Sequence, residues 1–123
     1  MENIKVLIVD DDSTICSLLE TILSMENYQT SSVNEVDEDD IFPLLEAEKP
    51  QILILDFHLS SQETVSYVEE IRRNVEWKEL TILMTSAIDR QSTCLAAGAN
   101  DFILKPFDWQ DFTEIVKNLS TPN

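Results

Sequence analysis

Two apolar patterns alternate along the 123 residues. Val6-Leu7-Ile8-Val9 and Ile52-Leu53-Ile54-Leu55 are apolar without interruption, and each runs straight into a carboxylate, Asp10 or Asp56. Runs without polar alternation predict strands buried on both faces, as in a sheet covered by helices. Thr81 to Thr85 (TILMT), ending in Ser86-Ala87, reads as a further strand, and so does Phe102-Ile103-Leu104, ending in Lys105-Pro106-Phe107. Tyr28 to Val33 (YQTSSV) is β-prone but polar, which suits a sheet edge.

Between these runs the apolar positions recur at three- and four-residue spacing, the period of a helix with one buried face. Ser13 or Asp12 can cap a first helix whose Ile15, Leu18, Leu19, Ile22 and Leu23 share a face, ending near Met25 to Asn27. A second carries Ile41, Leu44, Leu45 and Phe42, tolerates Pro43 in its first turn, and closes at Lys49-Pro50. A third begins at Ser61 or Gln62 and presents Val65, Val68, Ile71 and Val75 before running out near Trp77. Arg90 to Ala97 is short and is ended by Gly98, the only glycine in the chain, which supplies a left-handed C-cap. Asp108 caps a last helix bearing Trp109, Phe112, Ile115, Val116 and Leu119.

Five strands alternating with five helices predict a doubly wound α/β parallel sheet with helices on both faces and right-handed crossovers. The carboxyl ends of all strands then point to one edge, where such folds bind ligands. Asp10 and Asp11, Asp56, Ser86 and Lys105 collect there.

Composition narrows the function. The length suits one compact domain, and a hydrophobic fraction of 43% is globular. With 24 acidic and 8 basic side chains the net charge is -16, which opposes direct binding to nucleic acid or to an anionic membrane. It favours divalent cations and a partner with a basic patch. The acidic run Glu35 to Asp40 (EVDEDD) lacks the glycine and ligand spacing of a calcium loop and suits the positive start of a helix. Cys16 and Cys94 have no metal or redox companion and read as buried helix cysteines in a reducing cytosol. No apolar run approaches the roughly 18 residues that span a bilayer. The start MENIKVLIVDDD lacks a signal peptide's basic region, so a cytoplasmic protein is expected.

Three carboxylates, a hydroxyl and an ammonium at one edge point to chemistry. Converging acids repel one another and favour a bound cation, and oxygen donors suit Mg²⁺. A cation and a lysine beside a free aspartate could neutralise phosphoryl oxygens while a carboxylate oxygen attacks in line. Without a glycine-rich phosphate loop, nucleotide binding is disfavoured.

This constellation resembles the receiver domain of bacterial two-component response regulators. The resemblance rests on VDD at Val9 to Asp11, LILDF at Leu53 to Phe57, TSA at Thr85 to Ala87, and AGANDFILKPF at Ala97 to Phe107, in order and at the family's spacing. It implies a flavodoxin-like sheet of strand order 2-1-3-4-5 and one receiver domain over residues 1–120, with 121–123 a tail or the start of a linker. It further implies that Asp56 accepts a phosphoryl group from the histidine of a sensor kinase or phosphotransfer protein. Asp10, Asp11, Asp56 and the His58 backbone carbonyl would hold Mg²⁺ or Mn²⁺. Lys105 would pair with the phosphoryl group or, before it arrives, with Asp56. Ser86 would turn its hydroxyl toward a phosphoryl oxygen, and the Ala87 backbone N–H would help hold that oxygen.

Phe102 occupies the switch-aromatic position and lacks the phenol of a tyrosine. The Lys105-Pro106 bond resembles the family's cis peptide. His58 and Ile88 occupy positions that tune hydrolysis of the acyl phosphate, with the imidazole itself read as exposed. A downstream protein or attached output domain would receive the signal, and phosphorylation could drive homodimerisation. Ser60 stands where the family usually has proline and Thr64 where it often has glycine, so the acceptor loop is expected to differ in shape. Two other readings remain: a receiver-like interaction module working without phosphorylation, and a phosphohydrolase. The second is disfavoured because Asp56-Phe57-His58 lacks a second acid two residues on.

Overall fold

The computed structural model describes residues 3–121; Pro122 and Asn123 of the expected tail lie outside the described residues. The elements are β1 (Lys5–Val9), α1 (Ser13–Met25), β2 (Gln29–Val33), a 3₁₀ turn (Glu38–Asp40), α2 (Ile41–Glu48), β3 (Ile52–Asp56), a hairpin pairing His58–Leu59 with Gln62–Glu63, α3 (Val65–Arg73), β4 (Thr81–Ser86), α4 (Gln91–Ala97), β5 (Asp101–Leu104) and α5 (Trp109–Ser120). The five long strands form one sheet in the order β2-β1-β3-β4-β5, all neighbours parallel. This is the expected flavodoxin-like architecture.

Both faces of the sheet are covered, which explains the missing polar alternation. Leu7, Val9, Leu53, Leu55, Ile82 and Met84 face a core closed by α2, α3 and α4 through Ile41, Leu45, Val68, Ile71 and Cys94. Val6, Ile8, Ile52, Ile54, Leu83 and Ile103 face the opposite core, closed by α1 and α5 through Cys16, Leu19, Leu23, Phe112 and Val116. Each large aliphatic side chain buried this way contributes about 1.5–3 kcal/mol. All five residues of β3 are buried, whereas none of edge strand β2 is fully so.

Asp12 caps α1, its carboxylate accepting from the Thr14 and Ile15 amides, and Asp108 caps α5 through the Gln110 amide. Gly98 ends α4 at φ 119°, and a Cβ there would lie 2.8 Å from Arg72 Cγ. Arg72 donates to the carbonyls of Gly98, Lys78 and Leu80 and to Asn100 Oδ1, binding the end of α3 to the starts of β4 and β5.

Expectations for three helices change. The buried stripe of α1 is Cys16, Leu19 and Leu23, while Leu18 is 53% exposed. Helix α3 begins only at Val65, because the residues expected to start it form the hairpin. It ends at Arg73 rather than near Trp77, since the Asn74 side chain accepts from the Glu76 and Trp77 amides and turns the chain. Val75 is therefore exposed and Tyr67 is buried in α3. Trp109 lies outside the buried face of α5, which consists of Phe112 and Val116.

Candidate functional site

Parallel strands deliver their polar followers to one edge. Asp10, just after β1, is nearly buried; its Oδ1 accepts from the Asp12 amide at 2.9 Å, and its carbonyl accepts from Asn34 Nδ2 at 3.0 Å and from Cys16 Sγ at 3.3 Å. Asp56 closes β3 and is 8% exposed. Asp11 is exposed, and one of its oxygens accepts from the Ser60 amide at 3.1 Å. Asp10, Asp11 and Asp56 each offer a carboxylate oxygen within 4.8 Å of the other two.

Lys105 follows β5 and reaches across. Its Nζ is 2.7 Å from Asp10 Oδ2 and 3.5 Å from Asp56 Oδ1. The expected pairing with Asp56 is thus the longer of two contacts. Asp10 is the more deeply buried acid, and its second oxygen, free of the Asp12 amide, takes the short bond. The Lys105 amide also donates to the Ser86 carbonyl at 2.8 Å, tying the two strand ends together.

The electrostatics follow from this crowding. Burial, with the nearby charge of Asp10, pushes the Asp56 carboxyl up to about 6; Lys105 opposes the shift and Asp11 adds to it. Burial disfavours the Lys105 ammonium, but its hydrogen bond to Asp10 and the charges of Asp56 and Asp10 together hold its pKa above the ordinary value. The donor set is all oxygen, clustered and short of positive charge, which fits a hard divalent cation such as Mg²⁺ or Mn²⁺.

The hydroxyl side is arranged differently. Ser86 is buried, and its Oγ accepts from the Ile88 amide at 3.1 Å. The Thr85 hydroxyl, on the register partner of Asp56, donates to the Asp56 carboxylate at a long 3.4 Å from Oδ1. Ala87 lies exposed at the start of the loop to α4. Phe102 is turned inward, 8% exposed, in the core shared with Met84 and Cys94. Lys105-Pro106 is cis. Burial pushes the Cys94 thiol up to about 11 and raises Cys16 as well, so both are poor nucleophiles.

His58 opens the hairpin, its ring edge-on to Phe57 and its Nε2 3.9 Å from Glu63. The Thr64 amide donates to the Phe57 carbonyl at 2.9 Å, a bond that flanks the His58–Glu63 pair. Antiparallel alternation then makes His58 and Glu63 a non-bonded pair, leaving the His58 carbonyl outside the ladder. Residues that sequence reasoning did not single out as site residues are Thr85, Asn34 and Arg90, whose guanidinium lies 5.6 Å from the Phe57 ring centroid. Only Thr85 left a signal, as the residue between β4's apolar run and Ser86.

The model of the response regulator receiver domain matches residues 6–117. The chain belongs to this family. The receiver is 28% identical to the transcriptional regulatory protein KdpE of Staphylococcus aureus over 107 residues, 85% of this chain and 44% of that one. It superposes with TM-score 0.86 and 29% identity on a provisionally assigned response regulator of Chloroflexus aurantiacus, covering 96% of this chain and 98% of the other. The signal receiver domain of a Bermanella marisrubri response regulator matches with TM-score 0.86 and 23% identity over 98% of the receiver and 100% of that chain, a likeness of fold. The receiver spans less than half the length of the curated relatives it matches. No helix among its described residues is long and apolar enough to cross a membrane.

Proposed function

We propose that this receiver domain, read as residues 1–120, is a phosphorylation switch in which Asp56 takes a phosphoryl group from a phosphohistidine of a sensor kinase or phosphotransfer protein. The observation that carries the reading is the convergence of Asp10, Asp11 and Asp56 within 4.8 Å, with Lys105 bridging two of them. A carboxyl titrating at about 6 is mostly ionised at neutral pH, so Asp56 keeps a lone pair for attack. The Asp56 oxygen forms the new bond to phosphorus as the phosphorus–nitrogen bond of the donor breaks and the imidazole leaves.

Asp10, Asp11, Asp56 and the His58 carbonyl would hold the cation. When bound, Mg²⁺ or Mn²⁺ offsets the charge that gathers on the phosphoryl oxygens. Lys105, already between Asp10 and Asp56, turns its ammonium to the incoming group. Ser86 gives up its contact with the Ile88 amide and donates to a phosphoryl oxygen, which the Ala87 N–H also holds. The phosphoryl group adds roughly two negative charges to the edge. Movement of Ser86 and Phe102 then alters the face built from α4, β5 and α5, which a downstream protein, an attached output domain or a second copy reads. The domain works in the cytoplasm as a signalling module whose own residues assist phosphotransfer and slow dephosphorylation.

Incubation with a small acyl-phosphate donor and Mg²⁺, followed by intact mass, tests this. One phosphoryl adduct that is lost in Asp56→Asn is expected. No adduct with any donor would overturn it in favour of an unphosphorylated interaction module, and multiple turnover of a phosphate ester in favour of a hydrolase.

A further inference from the structure

The loop after Asp56 departs most from what the resemblance leads one to expect. Ser60 has φ 55°, which proline, with φ held near about −65°, cannot adopt. A left-handed non-glycine residue costs about 1 kcal/mol or more and persists only where its surroundings impose it. Here they do. The Ser60 amide donates to Asp11 Oδ2 at 3.1 Å, Leu59 is buried beside it, and the Tyr67 hydroxyl lies 2.7 Å from Gln62 Oε1.

Thr64 closes the hairpin from the other end. It is fully buried, its hydroxyl donates to the carbonyl of Asp56 at 2.8 Å with the Phe57 carbonyl at 3.3 Å, and glycine could offer no such donor. Together, the two residues grip the backbone of the acceptor and one oxygen of Asp11, leaving the other oxygen and the His58 carbonyl available.

We infer that Ser60 and Thr64 are positioning residues of the cation site: the left-handed Ser60 turn and the Thr64 hydroxyl fold the acceptor loop into a hairpin that orients Asp11 and the His58 carbonyl. The inference rests on the cation site proposed above. Hydrogen bonds to ligating carboxylates and their neighbours typically change metal affinity 10–100-fold. Ser60 contributes through its backbone alone, so glycine should serve as well or better. Thr64 contributes through its hydroxyl, so serine should substitute and the isosteric valine should not.

Calorimetric titration with Mg²⁺ alone, with a thermal melt of each metal-free variant, tests the inference. Wild-type affinity is expected to fall about tenfold or more in Thr64→Val and in Ser60→Pro, and to stay within about threefold in Thr64→Ser and Ser60→Gly. Should Thr64→Val and Ser60→Pro bind Mg²⁺ as tightly as wild type, the inference is overturned even if both melt earlier. If one variant does not fold, the other carries the test, since Ser60 is exposed and Thr64 is buried. Asp11→Asn separates the two levels: unchanged Mg²⁺ binding there overturns the cation site itself, whereas its loss alongside normal binding in the loop variants overturns only the positioning role.

Discussion

The two sides of Asp56 are built to different standards. On the acid side, Asp10 uses both carboxylate oxygens, one on the Asp12 amide and one on Lys105, Asp11 is held by Ser60, and the Asp56 backbone by Thr64. On the hydroxyl side, Ser86 Oγ accepts a single amide, the Thr85 contact is long, and Ile88, Leu95 and Leu104 are exposed. Dense hydrogen bonding fixes groups that must be in place before reaction. Sparse bonding suits groups whose position is meant to change. In the proposed switch, the contrast separates a holding half from a responding half along a single sheet edge.

The sharpest way to break that contrast is to remove the cation between the acids. Lys105→Met leaves Asp10 and Asp56 facing each other without compensation and should cost about 3 kcal/mol in urea unfolding, while carbon-detected titration shows Asp56 taking up its proton above pH 6. Adduct formation should fall at least about tenfold. Unchanged stability would mean that the acid side is not held by Lys105.

A second test uses pH. Because the folded state raises the Asp56 carboxyl to about 6, from about 3.9 in the unfolded chain, folding favours its protonated form. That contribution is fully present below about pH 4 and is lost as pH rises through about 6. Metal-free Asp56→Asn should therefore be more stable than wild type by up to about 2 kcal/mol at pH 7 and should lose this advantage at pH 4. Added Mg²⁺ should shrink the gap at pH 7 by stabilising wild type alone. A gap independent of pH would place the cost elsewhere.

Ser86→Ala probes the responding half and should change least. With only one amide contact to lose, unfolding should shift by less than about 1 kcal/mol. The adduct still forms on Asp56, but the amide-shift changes that phosphorylation produces in α4 and β5 should be lost. Identical changes in the variant would remove Ser86 from the response.

Much of the holding half was legible in the chain. Val6 to Val9 and Ile52 to Leu55 announce buried strands because no polar side chain interrupts them, and parallel topology then forces Asp10 and Asp56 to one edge. Asp12, Asp108 and Gly98 mark helix ends because capping chemistry is local. The hairpin was not legible: its strands are two residues each, too short for a period, and polar Gln62-Glu63 carries no buried face. Nor does apolar spacing set a helix's rotation, since one residue turns it by about 100°. Cys16 is buried as read, but Leu18, placed by the spacing on the same face, takes the solvent. Which acid Lys105 prefers depends on distances between strand ends that no local pattern encodes.

Arg72 gives the responding half a mechanical character. Helix α4 is seven residues long, a rod of about 10 Å at the standard rise. One end is riveted: the Arg72 guanidinium binds the Gly98 carbonyl and Asn100. The other end is held more lightly: Arg90 provides no side-chain cap, its Nε is buried without a hydrogen-bond partner among the described residues, and the Asp89 carboxylate accepts from the Gln91 amide at 3.1 Å. A rod pinned at one tip swings instead of sliding. In the proposed switch a displaced Ser86 would push on the Asp89–Arg90 end of α4 while the Arg72 contacts hold the Gly98 end.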